Sequence, residues 1–461
     1  MLGIAITCGE KVKTWIFAHT EKDIALILLI LLLALSLRLP FLNYPNQTLF
    51  DEVTYANFAT HMAHGEPFFD IHPPLVRILF AEILTHTGAT DVEIIPIGLN
   101  QPLGNFPYVA LRFFVALFGI VLPLLIYSAG RLLGYIPRVA AIPALFVVFD
   151  NAFVLYSRTI LPDTILLVFG LLGFVAALAA TRASLQWKKW VLVLLAACAL
   201  GLALSIKWIA LGVCGVVVVM YTLSRMYREI IGSVLIIITV YIAIFVSFFF
   251  YFPQGGKADP MLPAYDVPSV TQLEFPSNLR DQNPRTIATF FFTTHRVMLE
   301  TNRDPKILKE LLQAPGPLSW PVARSSILFW EDNASGKTIV LMGNSLLWFF
   351  TFFALLFELV WMLFHALRER VWPIDQNESI LLLGYLANYI PFFFINRPMF
   401  LYHYFTALLF LFLLMPRIVP RIMNCIAVVS GDRLLAQTLT YFIGCLILLN
   451  FFLLAPTTYG F

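Results

Sequence analysis

Charge is scarce in this chain. Asp, Glu, Lys and Arg supply 12% of its 461 residues, while 60% are hydrophobic and 15% aromatic. The mean hydropathy of +0.83 is far above that of a soluble domain. The shortage sets the expectation of an all-α membrane protein, because in hydrocarbon every backbone N–H and C=O must find its partner within the protein. The net charge of +3 gathers in no basic cluster with interleaved aromatics, so no nucleic-acid partner is expected. Cysteine is sparse too. Cys198, Cys214 and Cys445 fall in apolar runs and Cys8 and Cys425 in segments expected inside, which leaves no disulfide framework. No paired-histidine or Asp-x-Asp pattern suggests a metal ligand set or a cofactor, and His295 reads as a solvated or packing histidine. No small-residue cleavage site follows Lys11, Lys13 and Lys22, so the first apolar run is expected to stay as a signal anchor. Neither a repeat nor a Gly/Ser linker divides the chain, and one membrane domain over 1–461 is expected.

What is abundant is long apolar runs. They occur at about 24–42, 108–130, 138–156, 161–181, 189–206, 208–225, 230–252, 339–363, 379–396, 399–416 and 436–455, and each is long enough to cross the bilayer. With the N-terminus inside, half of the 30 lysines and arginines lie in inner segments, as the positive-inside rule demands. Segment 253–338, about 85 residues rich in proline and polar side chains, then lies outside. Its length predicts a folded lid or platform with helices near Thr286–Glu300 and Pro305–Gln313. Six cations, Arg38, Arg77, Arg112, Arg158, Lys207 and Arg397, sit near outer span ends, where the rule disfavours them. Arg38 and Arg112 are expected to snorkel to the interface. Arg158 and Lys207, confined by short turns, are balanced between packing and function.

The stretch FDEVTYANFATHMAHGEPFFDIHPPL, Phe50 to Leu75, follows the first run and brings Asp51, Glu52, Asp70 and His72 to the membrane surface. Adjacent residues point about 100° apart on a helix, so Asp51 and Glu52 cannot act as a proton-sharing pair and must serve separate roles. Thr48 with Asp51 also fits a capping box, in which Asp51 merely starts a helix running to about His64 with Gly65 as its stop. His72 precedes Pro73 and is biased to extended geometry, and Pro74 opens an interfacial helix from Leu75 to about His86.

These stretches resemble the protein O-mannosyltransferases of the GT-C superfamily. The Asp-Glu pair and FFDIHPPL are similar to the family's first-loop signature, FDNAFVLYSRTILPD (Phe149 to Asp163) to its third-span ending, GLALSIKW (Gly201 to Trp208) to its Ser-x-Lys-Trp segment, MGNSLLWF (Met342 to Phe349) to its Gly-Asn segment and RPMFLYHYFTALLF (Arg397 to Phe410) to its Tyr-His-Tyr span. Thr54 replaces a common histidine and Val76-Arg77 a common Gly-Lys, and segment 253–338 is too short for the β-trefoil module of eukaryotic members. The resemblance implies a GT-C fold of about 11 transmembrane helices, with a catalytic half at 1–252 containing first-loop motif 43–107, an outer loop at 253–338 and a four-helix part at 339–461. It implies inverting transfer of a sugar, mannose above all, from a polyprenyl-phosphate donor to a hydroxyl at the extracytoplasmic face of a bacterial plasma membrane. Asp51 is then the general base; Glu52 and Asp70 place substrate and set the site geometry, His72 fixes the loop or contacts substrate, Arg158, Lys207 and Arg397 hold donor phosphate, and Tyr402 and His403 line the lipid groove. Protein Ser/Thr is the first acceptor class, a lipid or glycan hydroxyl the alternative, and a non-enzymatic transporter or scaffold the third reading.

Overall fold

The computed structural model describes residues 20–89, 92–262, 266–303, 315–395 and 399–461. Helices α1 (Thr20–Arg38), α2 (Glu52–His64), α3 (Leu75–His86), α4 (Tyr108–Leu132), α5 (Pro137–Val148), α6 (Asn151–Tyr156), α7 (Asp163–Ala180), α8 (Gln186–Leu204), α9 (Leu211–Leu223) and α10 (Tyr227–Phe249) make the first part. The outer segment carries α11 (Pro284–Thr301) and two antiparallel pairs, β1 (Gly256–Lys257) with β2 (Glu274–Phe275) and β3 (Ile327–Asp332) with β4 (Lys337–Leu341). Helices α12 (Ser345–Glu369), α13 (Gln376–Ala387), α14 (Phe405–Ser430) and α15 (Arg433–Tyr459) complete the chain.

Every expected apolar run contains helix. Among the described residues seven helices, α4, α7, α8, α10, α12, α14 and α15, are long and apolar enough on their own to cross a membrane. Of the others, α1 is 19 residues long but carries Glu21, Lys22 and Asp23 in its first turn, and the rest are shorter or interrupted, for reasons hydropathy cannot register. The run 138–156 breaks at Phe149, because the Asp150 carboxylate accepts from the N–H groups of Ala152 and Phe153 and starts α6 afresh. The other oxygen of Asp150 accepts from the Trp348 indole at 2.6 Å and from the Asn344 N–H at 3.2 Å. Asn344 caps α12 and its amide donates to the carbonyls of Phe149 and Ile447. The MGNSLLWF stretch is thus the joint between the two parts of the bundle.

Loops collect at two opposite ends. At one, Leu75 N–H donates to Ser205 O, Ile160 N–H to Glu52, Phe69 N–H to Asp259 O and Phe50 N–H to Phe329 O, so the first loop, two short turns and the outer segment meet. Gly119 lets the turn at Ser157 press onto α4, since a Cβ there would lie 2.2 Å from the Ser157 Cβ. At the other end Asp23 pairs with Arg131, while Arg182, Ser224 and Asp375 line a separate cavity. The expected helix at Thr286–Glu300 is present as α11, started by the Asn283 side chain. Pro305–Gln313 and Arg397 lie outside the described residues. The hairpin β3–β4 was not foreseen, because the stretch SWPVARSSILFW around β3 lacks strict alternation.

Candidate active site

Helix α2 starts and stops where the residues dictate, although not by the expected box. Gly65 takes φ +71° and closes the helix through bonds to His61 O and Met62 O. The Thr48 hydroxyl, however, donates to Gly98 O and accepts from the Gln101 N–H, and the Asp51 side chain makes no cap bond. The capping role is therefore corrected: Asp51 begins the helix by its backbone and keeps its carboxylate free of that duty.

Glu52 is buried and fully engaged. It accepts from Arg112 Nε at 2.9 Å and Nη2 at 2.7 Å, from Ile160 N–H at 2.8 Å and from Leu49 N–H at 3.1 Å. Arg112 also donates to the carbonyls of Leu42, Pro45 and Gln47. Arg112 and Arg38 do not snorkel; both are buried, with Arg38 donating to Val147 O at 3.0 Å. Asp70 pairs with Arg77 and accepts from the His72 N–H at 3.1 Å, and the Arg77 guanidinium lies 5.0 Å from the Tyr55 ring centre. These bonds fix the His-Pro-Pro corner against α2 and α3.

Asp51 differs. Its carboxylate has no hydrogen bond among the described residues, and it faces Lys207 and Asp163. Burial pushes its carboxyl up to about 6, opposed by Lys207 and assisted by Asp163. Lys207 Nζ donates to both oxygens of Asp163 at 2.9 Å and stands 5.1 Å from the Tyr402 ring centre. Tyr55 and Tyr156 lie within electrostatic reach of both Asp51 and Asp163, acids that come from two distant segments.

Lys207 also lines a cleft of about 570 Å³. Its polar wall is His72, Lys207, Asn302, Arg303 and His403, and its apolar wall includes Leu211, Leu299, Phe392 and Met399. Such a cleft suits an amphipathic ligand with a charged head. His403 is held by Phe400 O and stacks 4.5 Å from Tyr402. Arg158 is not in this group. Its guanidinium donates to Arg38 O at 2.9 Å and Phe41 O at 3.2 Å and covers the Tyr459 ring, away from the cleft. That placement corrects its expected role: it binds the end of α1 to the end of α15.

Asp163, Asn302 and Arg303 were not singled out by sequence as site residues, and Arg77 was noted only as one of six cations near outer span ends. The Leu-Pro-Asp start of α7 was a legible signal for Asp163, as was Arg77 standing one turn beyond the His-Pro-Pro corner. Asn302 and Arg303 reach the cleft only because α11 folds back, which nothing local announces. His295 is a packing histidine on α11. It bonds the Tyr241 hydroxyl at 2.9 Å, which in turn accepts from the Trp208 indole.

Residues 28–255 match the family model "Dolichyl-phosphate-mannose-protein mannosyltransferase", and residues 288–461 match the "C-terminal four TMM region of protein-O-mannosyltransferase". Dolichyl-phosphate-mannose--protein mannosyltransferase 1 of Candida albicans is 36% identical over 205 residues, which is 42% of this chain and 22% of that protein. The matched stretch is thus less than a quarter of that relative's length. The fold resembles the Saccharomyces cerevisiae protein O-mannosyltransferase Pmt1-Pmt2 complex bound to the sugar donor, with a TM-score of 0.76 at 16% identity over 95% of this chain and 90% of that one. It also resembles the apo oligosaccharyltransferase of Archaeoglobus fulgidus, at TM-score 0.55 and 14% identity over 97% and 57%.

Proposed function

Because this chain belongs to the protein O-mannosyltransferase family and has a GT-C fold, we propose that it transfers mannose from a polyprenyl phosphate to a Ser or Thr hydroxyl of a protein. Asp51 takes the hydroxyl proton as the acceptor oxygen attacks the sugar carbon from the side opposite the phosphate. The sugar–oxygen bond to phosphate breaks, the configuration inverts, and the electron pair leaves with the polyprenyl phosphate. Lys207 meets that charge at the polar end of the cleft, with His72, Asn302 and Arg303 beside it. Tyr402 and His403 wall the passage, and Glu52 and Asp70 set the geometry of the loop that carries the base. The observation that carries this reading is an unbonded carboxylate, Asp51, within electrostatic reach of a cation, Lys207, that is paired with Asp163 and lines an apolar cleft. A carboxyl near 6 is ionised at neutral pH and basic enough to accept a proton in the transition state.

The proposed setting is one membrane unit over 1–461 in a bacterial plasma membrane, with the N-terminus cytoplasmic and Asp51 on the outer face. The inner placement of half the cations and the short outer segment support it. Purified protein in vesicles, given radiolabelled polyprenyl-phosphate mannose and a Ser/Thr-rich peptide, is expected to label the peptide. Labelling that appears only when a lipid or glycan hydroxyl is supplied would replace the protein acceptor with the second class, which the short outer segment also accommodates. No transfer to either acceptor would sink the enzymatic reading.

A further inference from the structure

The Asp51 carboxylate makes no hydrogen bond of its own among the described residues, so its direction is set by the residues on either side of it. On the C-terminal side Glu52 is fixed by Arg112, Leu49 and Ile160. On the N-terminal side stands Phe50, a bulky residue in the left-handed region at φ +42°. Non-glycine residues hold that conformation only where their surroundings impose it.

The outer hairpin supplies those surroundings. Its register runs from Leu328 opposite Val340 to Trp330 opposite Ile339, so Phe329 is the extra residue of a bulge. A bulge releases one residue from the ladder and re-aims its side chain. The carbonyl of Phe329 accepts the Phe50 N–H at 2.9 Å, and its ring, fully buried, stacks on the Phe50 ring at 4.9 Å with 12° between planes. Neighbouring bonds keep the hairpin in place. The Trp330 indole donates to Gln47 Oε1 at 2.6 Å, and the Glu331 N–H donates to Asn100 Oδ1 at 3.3 Å. Three separate features, a bulge, a left-handed backbone and a ring stack, thus meet one residue away from the carboxylate.

We infer that Phe329 is a positioning residue for Asp51: the bulged strand holds the turn at Phe50 and so aims the carboxylate into the site. This rests on the reading of Asp51 as base. Without the stack, Phe50 relaxes to negative φ, the Phe50–Asp51 peptide rotates, and the carboxylate leaves the face shared with Lys207 and Asp163.

The test measures kcat, donor KM and the pH profile of mannosyl transfer for Phe329→Leu, Phe329→Ala, Phe329→Ala with Phe50→Gly, and Asp51→Asn. Phe329→Leu refills the buried volume without a ring, and it is expected to lower kcat about tenfold or more with donor KM within about threefold. Its acidic limb is expected to move to lower pH, because a carboxylate released from its buried orientation is better hydrated. Phe50→Gly is expected to recover much of the loss in the Phe329→Ala background, since glycine adopts positive φ without a stack to hold it. Wild-type kcat and pH profile in both Phe329 variants would overturn the inference. So would a loss that Phe50→Gly does not relieve and that leaves the acidic limb in place, which would mark Phe329 as packing alone. Should Phe329→Ala fail to fold, Phe329→Leu carries the same reading. Normal turnover in Asp51→Asn would defeat the base assignment itself, whereas an inactive Asp51→Asn beside normal Phe329 variants would defeat only the positioning role.

Discussion

The carboxylate of Glu52 accepts hydrogen bonds from two nitrogens of Arg112 and two backbone amides, while that of Asp51, one residue earlier, has none among the described residues and looks onto Lys207 and Asp163. The cations divide by placement, since Lys207 is itself paired with Asp163. Arg112 and Arg158 spend their donors on carbonyls of the first loop and the end of α1, whereas Lys207 and Arg303 line the cleft. A buried charge with every partner in place is architecture, because its desolvation has already been offset and a ligand has nothing to add. A charge kept only partly satisfied beside a cavity is available for chemistry. The first loop holds both kinds within two residues.

The sharpest way to break that contrast is Arg112→Met, which strands Glu52 in the interior. It is expected to cost about 3–5 kcal/mol of stability, read as a large fall in the thermal unfolding midpoint of purified protein. A small shift would place Glu52 among the reactive groups instead. Lys207→Met is expected to raise donor KM about 10–100-fold, or about 1.4–3 kcal/mol, in initial-rate measurements with little change in acceptor KM. The pH dependence of kcat/KM is expected to show an acidic limb near 6, the value to which burial lifts Asp51. The base must be ionised, so the rate falls about tenfold per pH unit below that limb and is flat above it. A limb near 4 would mean a solvated carboxylate. Arg303→Ala, removing an exposed cation at the cleft wall, is expected to raise donor KM about 3–10-fold. Arg158→Lys should be the mildest for donor use, leaving donor KM within about twofold while lowering the unfolding midpoint, because the lysine cannot reach both carbonyls.

Much of the scaffold was legible in the sequence, and the omissions have physical causes. Apolar length located the helical segments, and the helix from Leu75 to His86 and the stop at Gly65 followed from proline and glycine chemistry. Of the residues singled out from distant stretches, His72, Lys207 and His403 line the cleft, and Tyr402 and Asp51 lie near Lys207. Arg158 was misassigned because a cation near a span end looks the same in sequence whether its donors meet a ligand or two backbone carbonyls. Arg38 and Arg112 were expected to reach water for the same reason, since nothing in the local sequence reveals that Val147 O or Glu52 lies within reach. The break at Asp150 was missed because a capping carboxylate inside an apolar run barely changes its hydropathy. Asn302 and Arg303 depend on the path of α11 back across the cleft, a tertiary fact without local sign.

Donor binding and single-turnover transfer measured on one preparation of Asp51→Asn test the central claim most directly. If Asp51 is the base, donor affinity stays within a few-fold of wild type while the transfer rate drops by about 10²–10⁴. Transfer at the wild-type rate, or a loss of donor binding that accounts for the whole defect, would contradict it.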